Sequence, residues 1–297
     1  MGISSASSYA LSRIHPSMRG TVHSVFNTSF NLEFDGNLLH VGSAGGPLSC
    51  IGLSVDAEEM SSMLGSVRAG DRALLHNGVV RIYSLAGVSE LAVADVPRRD
   101  CSVLPLSKVM RPGMDIEVSG LLRSLDLLEQ TGLPWTERSI SAVSALARFS
   151  ALCFAADEQG DDQVDVDRFQ AAERAVHGAV EYLMGRGLGL TPSGDDILMG
   201  FGTALRYLHG TLAPKTTDAF FRAVAEELPG RTTAVSESYL QAMCAGQANE
   251  DYLDVLALLD SGNYGELPTA FDRVLSMGHT SGADSLLGFA AAFGCLL

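Results

Sequence analysis

Residues 185–201 read Gly185-Arg186-Gly187-Leu188-Gly189-Leu190-Thr191-Pro192-Ser193-Gly194-Asp195-Asp196-Ile197-Leu198-Met199-Gly200-Phe201. Three alternating glycines lead into a polar turn, and the apolar spacing of a buried helix begins directly after that turn. The pattern Ser-Gly-x-Asp-x-Leu-x-Gly-Phe recurs at residues 281–289, directly after His279 and Thr280. Two copies of a nine-residue pattern indicate an internal duplication around which this half of the chain is organised.

A helix cap is the simplest interpretation of each copy. Ser193 with Asp196, and Ser281 with Asp284, have the spacing of an N-cap residue and its acidic partner. A cap does not explain glycine at the first helical position, where glycine costs about 0.5–1 kcal/mol relative to alanine. Glycine there exposes backbone N–H groups, and helix N-termini attract anions. We therefore predict an anion-binding site at these two helix starts, which is compatible with capping.

Residues beside both copies extend the predicted site. Arg231 follows Pro229-Gly230 and could clamp a carboxylate or phosphate, although an exposed arginine beside a helix start is an equal alternative. His279 lies in a polar turn after Gly278, so we predict proton transfer or oxyanion stabilisation for it. The predicted substrate-binding residues are Gly187, Gly189, Thr191, Ser193, Gly194, Arg231, Thr280, Ser281 and Gly282.

The acidic residues of the motifs admit a second interpretation. Asp195 and Asp196 would repel a bare phosphate unless they face away from it or a divalent cation lies between them and the ligand. Mg²⁺ often binds through one or two carboxylates together with phosphate oxygens. Asp195, Asp196 and Asp284 are therefore candidate Mg²⁺ ligands, without a histidine or cysteine set to support them.

Composition excludes several classes of function. The formal net charge is −15 and the pI is about 4.7, which argues against nucleic-acid or anionic-membrane partners because these need a basic face. The five cysteines are widely spaced, so a reducing cytoplasmic location fits better than a disulfide framework. Neither a signal peptide nor an apolar run of about 20 residues is apparent. A small anionic substrate remains compatible with the charge.

The hydrophobic period divides the chain near residue 100. Residues 18–100 alternate with period two, and Asp35-Gly36 and Asn77-Gly78 have the form of hairpin turns. The first residues, 4–13, suggest a short helix. We predict an α+β protein, in which residues 1–100 form a small antiparallel β-barrel or sandwich and residues 101–297 form a larger all-α domain with the duplicated helix start.

Helical periodicity dominates the second part of the chain. The predicted helices cover residues 114–131, 136–156, 164–184, 193–209, 214–228, 232–245, 249–260, 264–276 and 281–296. Gly200 and Gly288 occupy matching places on two of these helices, which we expect to pack against each other. The N-termini of the two helices should then lie at one end of a shared cleft.

At these motifs the chain resembles a known bacterial family. Residues 187–196 together with residues 278–284 are similar to AllH-type subunits of oxamate carbamoyltransferase, a family formerly classed as a domain of unknown function. The similarity covers the helical half, whereas the β-rich half agrees only in length and character. The Ser-Thr-Arg-Thr-Arg signature of ornithine and aspartate carbamoyltransferases is absent, so any such activity would use an unrelated site.

The resemblance implies transfer of a carbamoyl group between carbamoyl phosphate and oxamate, with oxalurate as the carbamoylated compound, in anaerobic allantoin degradation. It also implies other subunit types as partners, and the scarcity of basic residues near the motifs agrees with a site that partners complete. Two alternatives remain. The chain could be a non-catalytic structural or regulatory subunit whose motifs only pack helices, or a metal-dependent hydrolase that uses Gly194-Asp195-Asp196.

Overall fold

The computed structural model describes residues 3–106, 114–159, 166–209 and 214–294. Two compact units divide the chain. The first, called the sheet unit, comprises Met1–Ser102 and Gln247–Asp251, and the second, called the helical unit, comprises Val103–Gly246 and Tyr252–Leu297. The first division lies close to the predicted boundary, but the short segment Gln247–Asp251 had been placed with the helices.

Strands with one buried face build the sheet unit, because a period-two pattern places alternate side chains in the core. The strands are β1 (Ile3–Ser7), β2 (Ser17–Val25), β3 (Ser29–Phe34), β4 (Asn37–Ser43), β5 (Gly52–Val55), β6 (Arg72–His76), β7 (Val79–Ser84), β8 (Gly87–Ala92) and β9 (Arg98–Arg99). Two helices, α1 (Ser8–Ser12) and α2 (Ala57–Ser66), accompany them. In the described part of the chain no strand follows β9, so the predicted change of period is confirmed.

The nine strands form one curled sheet in the order β8-β7-β6-β2-β3-β4-β5-β1-β9. The α+β class is confirmed, but the predicted barrel or sandwich is wrong, because the sheet does not close. The sheet is also not wholly antiparallel, since β4 pairs with β5 and β1 with β9 in parallel. These pairings join distant segments, and local sequence patterns carry no signal for them.

The two predicted hairpin turns are confirmed, whereas the helix predicted at the N-terminus is only partly correct. Asp35 and Gly36 have φ values of 49° and 78°, and Asn77 and Gly78 have 51° and 73°, so both dipeptides adopt the left-handed conformation that tight hairpins need. The helix predicted for residues 4–13 is wrong in its first half. Those residues belong to strand β1, which lies between β5 and β9 in the sheet.

The core of the sheet unit lies between the sheet and α2. Phe30, Leu32 and Phe34 of β3 are fully buried, and Met60 and Met63 of α2 belong to the same apolar cluster. Burying an aliphatic or aromatic side chain of this size stabilises a fold by about 1.5–3 kcal/mol. The sheet unit therefore has a hydrophobic core of its own.

Residues Gln247–Asp251 are hydrogen-bonded into the sheet unit. The backbone N–H of Leu48 donates to the Glu250 carboxylate at 2.9 Å, and the Leu48 carbonyl accepts from the Glu250 N–H at 3.0 Å. The N–H of Cys50 donates to Asn249 Oδ1 at 3.0 Å. The loop before β5 therefore obtains its backbone hydrogen bonds from a segment about 200 residues further along the chain.

We expect Glu250→Ala to lower the free energy of unfolding of the full chain by about 1–3 kcal/mol, because the N–H of buried Leu48 loses its acceptor. Urea denaturation followed by circular dichroism measures this change. Glu181→Ala removes an exposed carboxylate and is the matched control, with an expected change within about 0.5 kcal/mol. Equal values for the two variants would contradict the structural role of the Glu250 contact.

The later helices are α3 (Met114–Ser124), α4 (Leu127–Gln130), α5 (Glu137–Gln159), α6 (Val166–Leu183), α7 (Ser193–His209), α8 (Pro214–Glu227), α9 (Ala234–Cys244), α10 (Glu250–Ser261), α11 (Leu267–Leu275) and α12 (Ser281–Ala292). All belong to the helical unit except the first two residues of α10, which belong to the sheet unit. The predicted helices agree to within a few residues, except that Asp126, at φ 46°, separates α3 from α4. The predicted ends at residues 164–165 and 295–296 lie outside the described residues. None of the helices in the described ranges has both the length and the apolar character needed to cross a bilayer.

Candidate functional site

The two copies of the motif form α7 and α12, which cross at their matching glycines. A Cβ atom on Gly200 would lie 3.0 Å from the Cα of Ser285 and closer still to its carbonyl group. A Cβ atom on Gly288 would lie 2.8 Å from the Phe201 nitrogen and closer still to the Ile197 carbonyl. Both positions therefore require glycine so that the two backbones can touch, and the predicted packing of the two copies is confirmed.

The first turns of α7 and α12 also lie side by side. The hydroxyls of Thr191 and Ser281 are 3.0 Å apart, and both are hydrogen-bonded to the Asp196 carboxylate. The acid of the first copy is thus held by the serine of the second. The expectation that both helix starts share one end of the pair is confirmed at this contact.

The predicted capping boxes are wrong. The helices begin at Ser193 and Ser281 themselves, so each serine is the first helical residue rather than the residue before it. Thr280 occupies the N-cap position of α12, and its side chain makes no capping hydrogen bond. Asp196 and Asp284 are both almost fully buried, rather than capping an exposed first turn.

The glycine after each serine provides room for the backbone rather than an open amide. The Gly194 N–H donates to the Arg186 carbonyl at 2.7 Å, and the Gly282 N–H donates to the Met277 carbonyl at 3.2 Å. A Cβ atom on Gly194 would overlap the Leu183 carbonyl. These two amides are occupied, contrary to the expectation that glycine exposes them.

Thr131 and Gly132, which were not predicted as site residues, contact the same end of the helix pair. Thr131 donates its hydroxyl proton to Asp284 Oδ1 at 2.5 Å, and the Gly132 N–H donates to the same oxygen at 3.0 Å. A Cβ atom on Gly132 would lie 2.5 Å from Ser193 Oγ and 2.7 Å from Thr280 Oγ1. The only local signal was a threonine and glycine before Pro134, which by itself indicates no more than a turn.

The three aspartates of the motifs have different partners. Asp195 accepts from the Gly185 N–H at 2.7 Å and from the Thr232 hydroxyl, whereas Asp196 and Asp284 interact with each other electrostatically. One oxygen of Asp196 and one of Asp284 are buried without a hydrogen-bond partner. Among the described residues no group of three histidine, cysteine, aspartate or glutamate side chains is arranged to hold a metal ion. The role of Asp195, Asp196 and Asp284 as Mg²⁺ ligands stays a prediction.

Burial raises the pKa of Asp196 well above its usual range, and the nearby Asp284 carboxylate raises it further, against the opposing hydrogen bonds from Ser281 and Thr191. Burial also raises the pKa of Asp195, while hydrogen bonds from the Gly185 N–H and the Thr232 hydroxyl oppose that shift. Asp196 therefore keeps its proton to a higher pH than an exposed aspartate does.

Asp196→Asn should make stability less dependent on pH. In the unfolded chain an aspartate titrates near pH 3.9, so between that pH and the raised native pKa the folded protein binds more protons. Its stability then falls as pH rises through this window. Asparagine does not titrate and so removes this pH-dependent loss of stability. The variant should therefore gain stability relative to the wild type as pH increases. Thermal unfolding from pH 4 to pH 9 measures the difference, and parallel curves would contradict the raised pKa.

The glycine-rich loop before α7 is exposed and needs its glycines for two reasons. Gly185, Gly187 and Gly189 have φ values of 68°, 129° and 91°, which disfavour other residues. A Cβ atom on Gly187 would also lie 2.5 Å from the Ser193 nitrogen, whereas Gly189 faces open space. The loop backbone therefore packs closely against the start of α7 at Gly187, whereas at Gly189 it faces solvent. Thr191 lies at its inner end.

The predicted polar residues around the helix starts differ in availability. His279 is exposed directly before α12. Arg231 is engaged, since it donates to the Glu227 carboxylate at 2.7 Å and to the Glu181 carbonyl at 3.0 Å. An arginine bound in this way has fewer donors left for a substrate.

A shallow depression of about 270 Å³ lies between α6 and α8, away from the motif residues. Two of its three basic side chains lie beside acids: Arg222 lies 3.4 Å from Glu173, and His177 lies 3.3 Å from Glu226. We place the candidate site instead at the joined starts of α7 and α12, where both copies of the motif meet.

Comparison with known families gives two matches, one in each part of the chain. The model described as the AllH family N-terminal domain matches residues 3–94, and the model described as oxamate carbamoyltransferase subunit AllH matches residues 183–293. Together they cover about two thirds of the chain. No solved structure gives a significant match. The chain belongs to the AllH family, whose description is that of an oxamate carbamoyltransferase subunit.

Proposed function

We propose that this chain is a substrate-binding subunit of an oxamate carbamoyltransferase and acts in allantoin-type degradation of purine nitrogen. The observation that carries the proposal is the meeting of both Ser-Gly-x-Asp motifs at one end of the α7–α12 pair, in a chain of the AllH family. A duplicated sequence used only for packing would require the glycines at the crossing. It would not require a glycine-rich loop, four hydroxyl residues and an exposed histidine at the helix starts.

The reaction joins carbamoyl phosphate and oxamate. The oxamate nitrogen attacks the carbamoyl carbon, a C–N bond forms, the C–O bond to the phosphate breaks, and inorganic phosphate leaves. One proton of the attacking nitrogen must be accepted, and we assign this role to His279, which is exposed beside the motif. The reverse reaction uses oxalurate and phosphate.

The remaining predicted residues surround the substrate in this proposal. Gly187 and Gly189 form the exposed loop, and Thr191, Ser193, Thr280 and Ser281 supply hydroxyl groups around it. Gly194 and Gly282 keep the backbone close to this region. Because Arg231 is paired with Glu227, it is not free to neutralise a substrate, and we propose that other carbamoyltransferase subunits complete the site.

Calorimetric titration of the purified chain with carbamoyl phosphate, and separately with oxamate, tests substrate binding. We expect at least one compound to bind, and we expect carbamoyl transfer only after reconstitution with the partner subunits. A chain that binds neither compound yet is required by the active complex would instead be a structural or regulatory subunit. Full activity of the purified chain alone would refute the need for partners.

A further inference from the structure

Two arginines that come from distant parts of the helical unit lie against one aromatic ring. The guanidinium carbon of Arg186 lies 3.9 Å from the centroid of the Tyr182 ring, and that of Arg138 lies 5.1 Å from it. Arg186 is fixed further, because its Nε donates to the Tyr182 carbonyl at 2.8 Å. The tyrosine hydroxyl in turn lies 3.1 Å from Ser139 Oγ and 3.4 Å from Thr136 Oγ1. The ring thus holds two positive charges near each other.

Both arginines are attached to the joined helix starts through short stretches of backbone. The Arg186 carbonyl accepts from the Gly194 N–H at 2.7 Å, in the first turn of α7. Arg138 lies in the first turn of α5, six residues after Gly132, whose N–H donates to Asp284 of α12. The arginines therefore come from the two segments that border the proposed substrate site.

Neither arginine has an acidic partner among the described residues. Arg231, Arg222 and Arg273 of the same unit each pair with a carboxylate within 3.4 Å. Within the described part of the chain no ion pair forms at Arg138 or Arg186, although the chain carries 35 acidic residues and only 20 basic ones. Two neighbouring guanidinium groups repel each other until an anion lies between or beside them. A cation–π contact at an exposed ring offsets only about 0.5–1 kcal/mol.

The guanidinium groups still have donors to offer. Apart from the Arg186 Nε bond, no hydrogen bond of these two groups to another described residue is present. A planar guanidinium carries five N–H donors and matches the oxygens of a phosphate or carboxylate. The environment of Tyr182 agrees with local positive charge, since hydrogen bonds from Ser139 and Thr136, and then the charges of Arg186 and Arg138, lower the pKa of its hydroxyl.

We propose that Arg138 and Arg186, held by the Tyr182 ring, form a subsite for an oxyanion group of the substrate. The inference rests on the proposed function, which requires a phosphate or a carboxylate to be anchored beside the two helix starts. It supplies the positive charge that the motifs themselves lack, and it assigns to Arg138 a role that the sequence pattern did not indicate.

A packing role is the alternative, in which the arginines only join α5 to the end of α6. A lysine substitution distinguishes the anion-binding role from the packing role. Lysine keeps the charge and part of the stacking but loses the planar set of donors. It should therefore preserve stability and some attraction for anions while weakening the binding of a phosphate or carboxylate.

The test is calorimetric titration of the full chain with inorganic phosphate and, separately, with oxamate. We expect Arg138→Gln and Arg186→Gln each to weaken binding of one of these anions about ten-fold or more, the usual worth of a lost charge-assisted hydrogen bond. Arg138→Lys should lie between Gln and wild type. Arg148→Gln is the matched control, since Arg148 is an exposed arginine on the same helix α5. The anion that responds identifies which group of the substrate occupies the subsite.

The chain contains one tryptophan, Trp135, three residues before Arg138. Its emission should therefore change on saturation with the anion in the wild type and in Arg148→Gln, and should stay constant in a double Arg138→Gln, Arg186→Gln variant. Thermal unfolding of every variant separates loss of binding from loss of fold.

Three outcomes overturn the subsite. These are absence of phosphate and oxamate binding by the wild type, equal affinities of the Gln variants and the control, or unchanged KM values for both substrates when the Gln variants are placed in an active reconstituted complex. The last outcome would leave the proposed function intact. Arginine-dependent anion binding in a reconstituted complex without carbamoyl transfer would support the subsite and refute the proposed function.

Discussion

Gly200→Ala should lower the free energy of unfolding of the helical unit by more than about 3 kcal/mol. The added methyl group would overlap the carbonyl group of Ser285, which belongs to the backbone of α12 and cannot rotate away. Overpacking in a core costs about 1–3 kcal/mol when side chains can adjust, and here two helices must separate. Guanidinium denaturation followed by the emission of Trp135 reports on this unit, because Trp135 lies within it.

Gly178→Ala is the matched control for this prediction. Gly178 also lies within a helix, α6, but a Cβ atom there would have no neighbour within 4 Å. Alanine should raise stability there by about 0.5–1 kcal/mol, because glycine is the poorer helix former. The same substitution is therefore expected to have opposite signs at the two sites. A destabilisation of Gly200→Ala below 1 kcal/mol would show that α7 and α12 do not touch as described.

His279→Ala should reduce turnover of the reconstituted complex by about 10²–10⁴-fold, the usual worth of a positioned acid–base group. The side chain is exposed, so its removal should leave the melting temperature of the subunit unchanged. Steady-state rates with carbamoyl phosphate and oxamate measure the effect.

His76→Ala replaces an exposed histidine of strand β6 and serves as the control, with unchanged turnover expected. An unchanged rate in His279→Ala would remove this residue from the mechanism. A rate loss accompanied by an equal loss in the control would point to assembly of the complex rather than to proton transfer.

Features that depend on neighbouring residues could be predicted from the sequence. Asp35-Gly36 and Asn77-Gly78 form the expected turns because positive φ is a property of these residues themselves. The packing of α7 on α12 could also be predicted, since Gly200 and Gly288 occupy the same place in two copies of one pattern.

Features that join distant segments could not be predicted in the same way. Strand β1 lies between β5 and β9, and the pattern of residues 3–7 contains nothing that specifies either neighbour. Thr131 contributes to the site only because it lies beside Asp284, 153 residues away. The burial of Asp196 could not be predicted either, because the spacing of Ser193 and Asp196 is that of a capping pair and does not show what packs over the helix start.

The hydrogen bonds between Gln247–Asp251 and the loop before β5 have a consequence for synthesis of the protein on the ribosome. The sheet unit contains all of its strands once Ser102 has been translated, but its last backbone partners are still missing. Translation of Val103–Gly246 at about 5–20 residues per second takes roughly 7–30 s. During this interval the nascent sheet unit has its own core but lacks the acceptors of the Leu48 and Cys50 amides, so its last hydrogen bonds form only after most of the second unit has been translated.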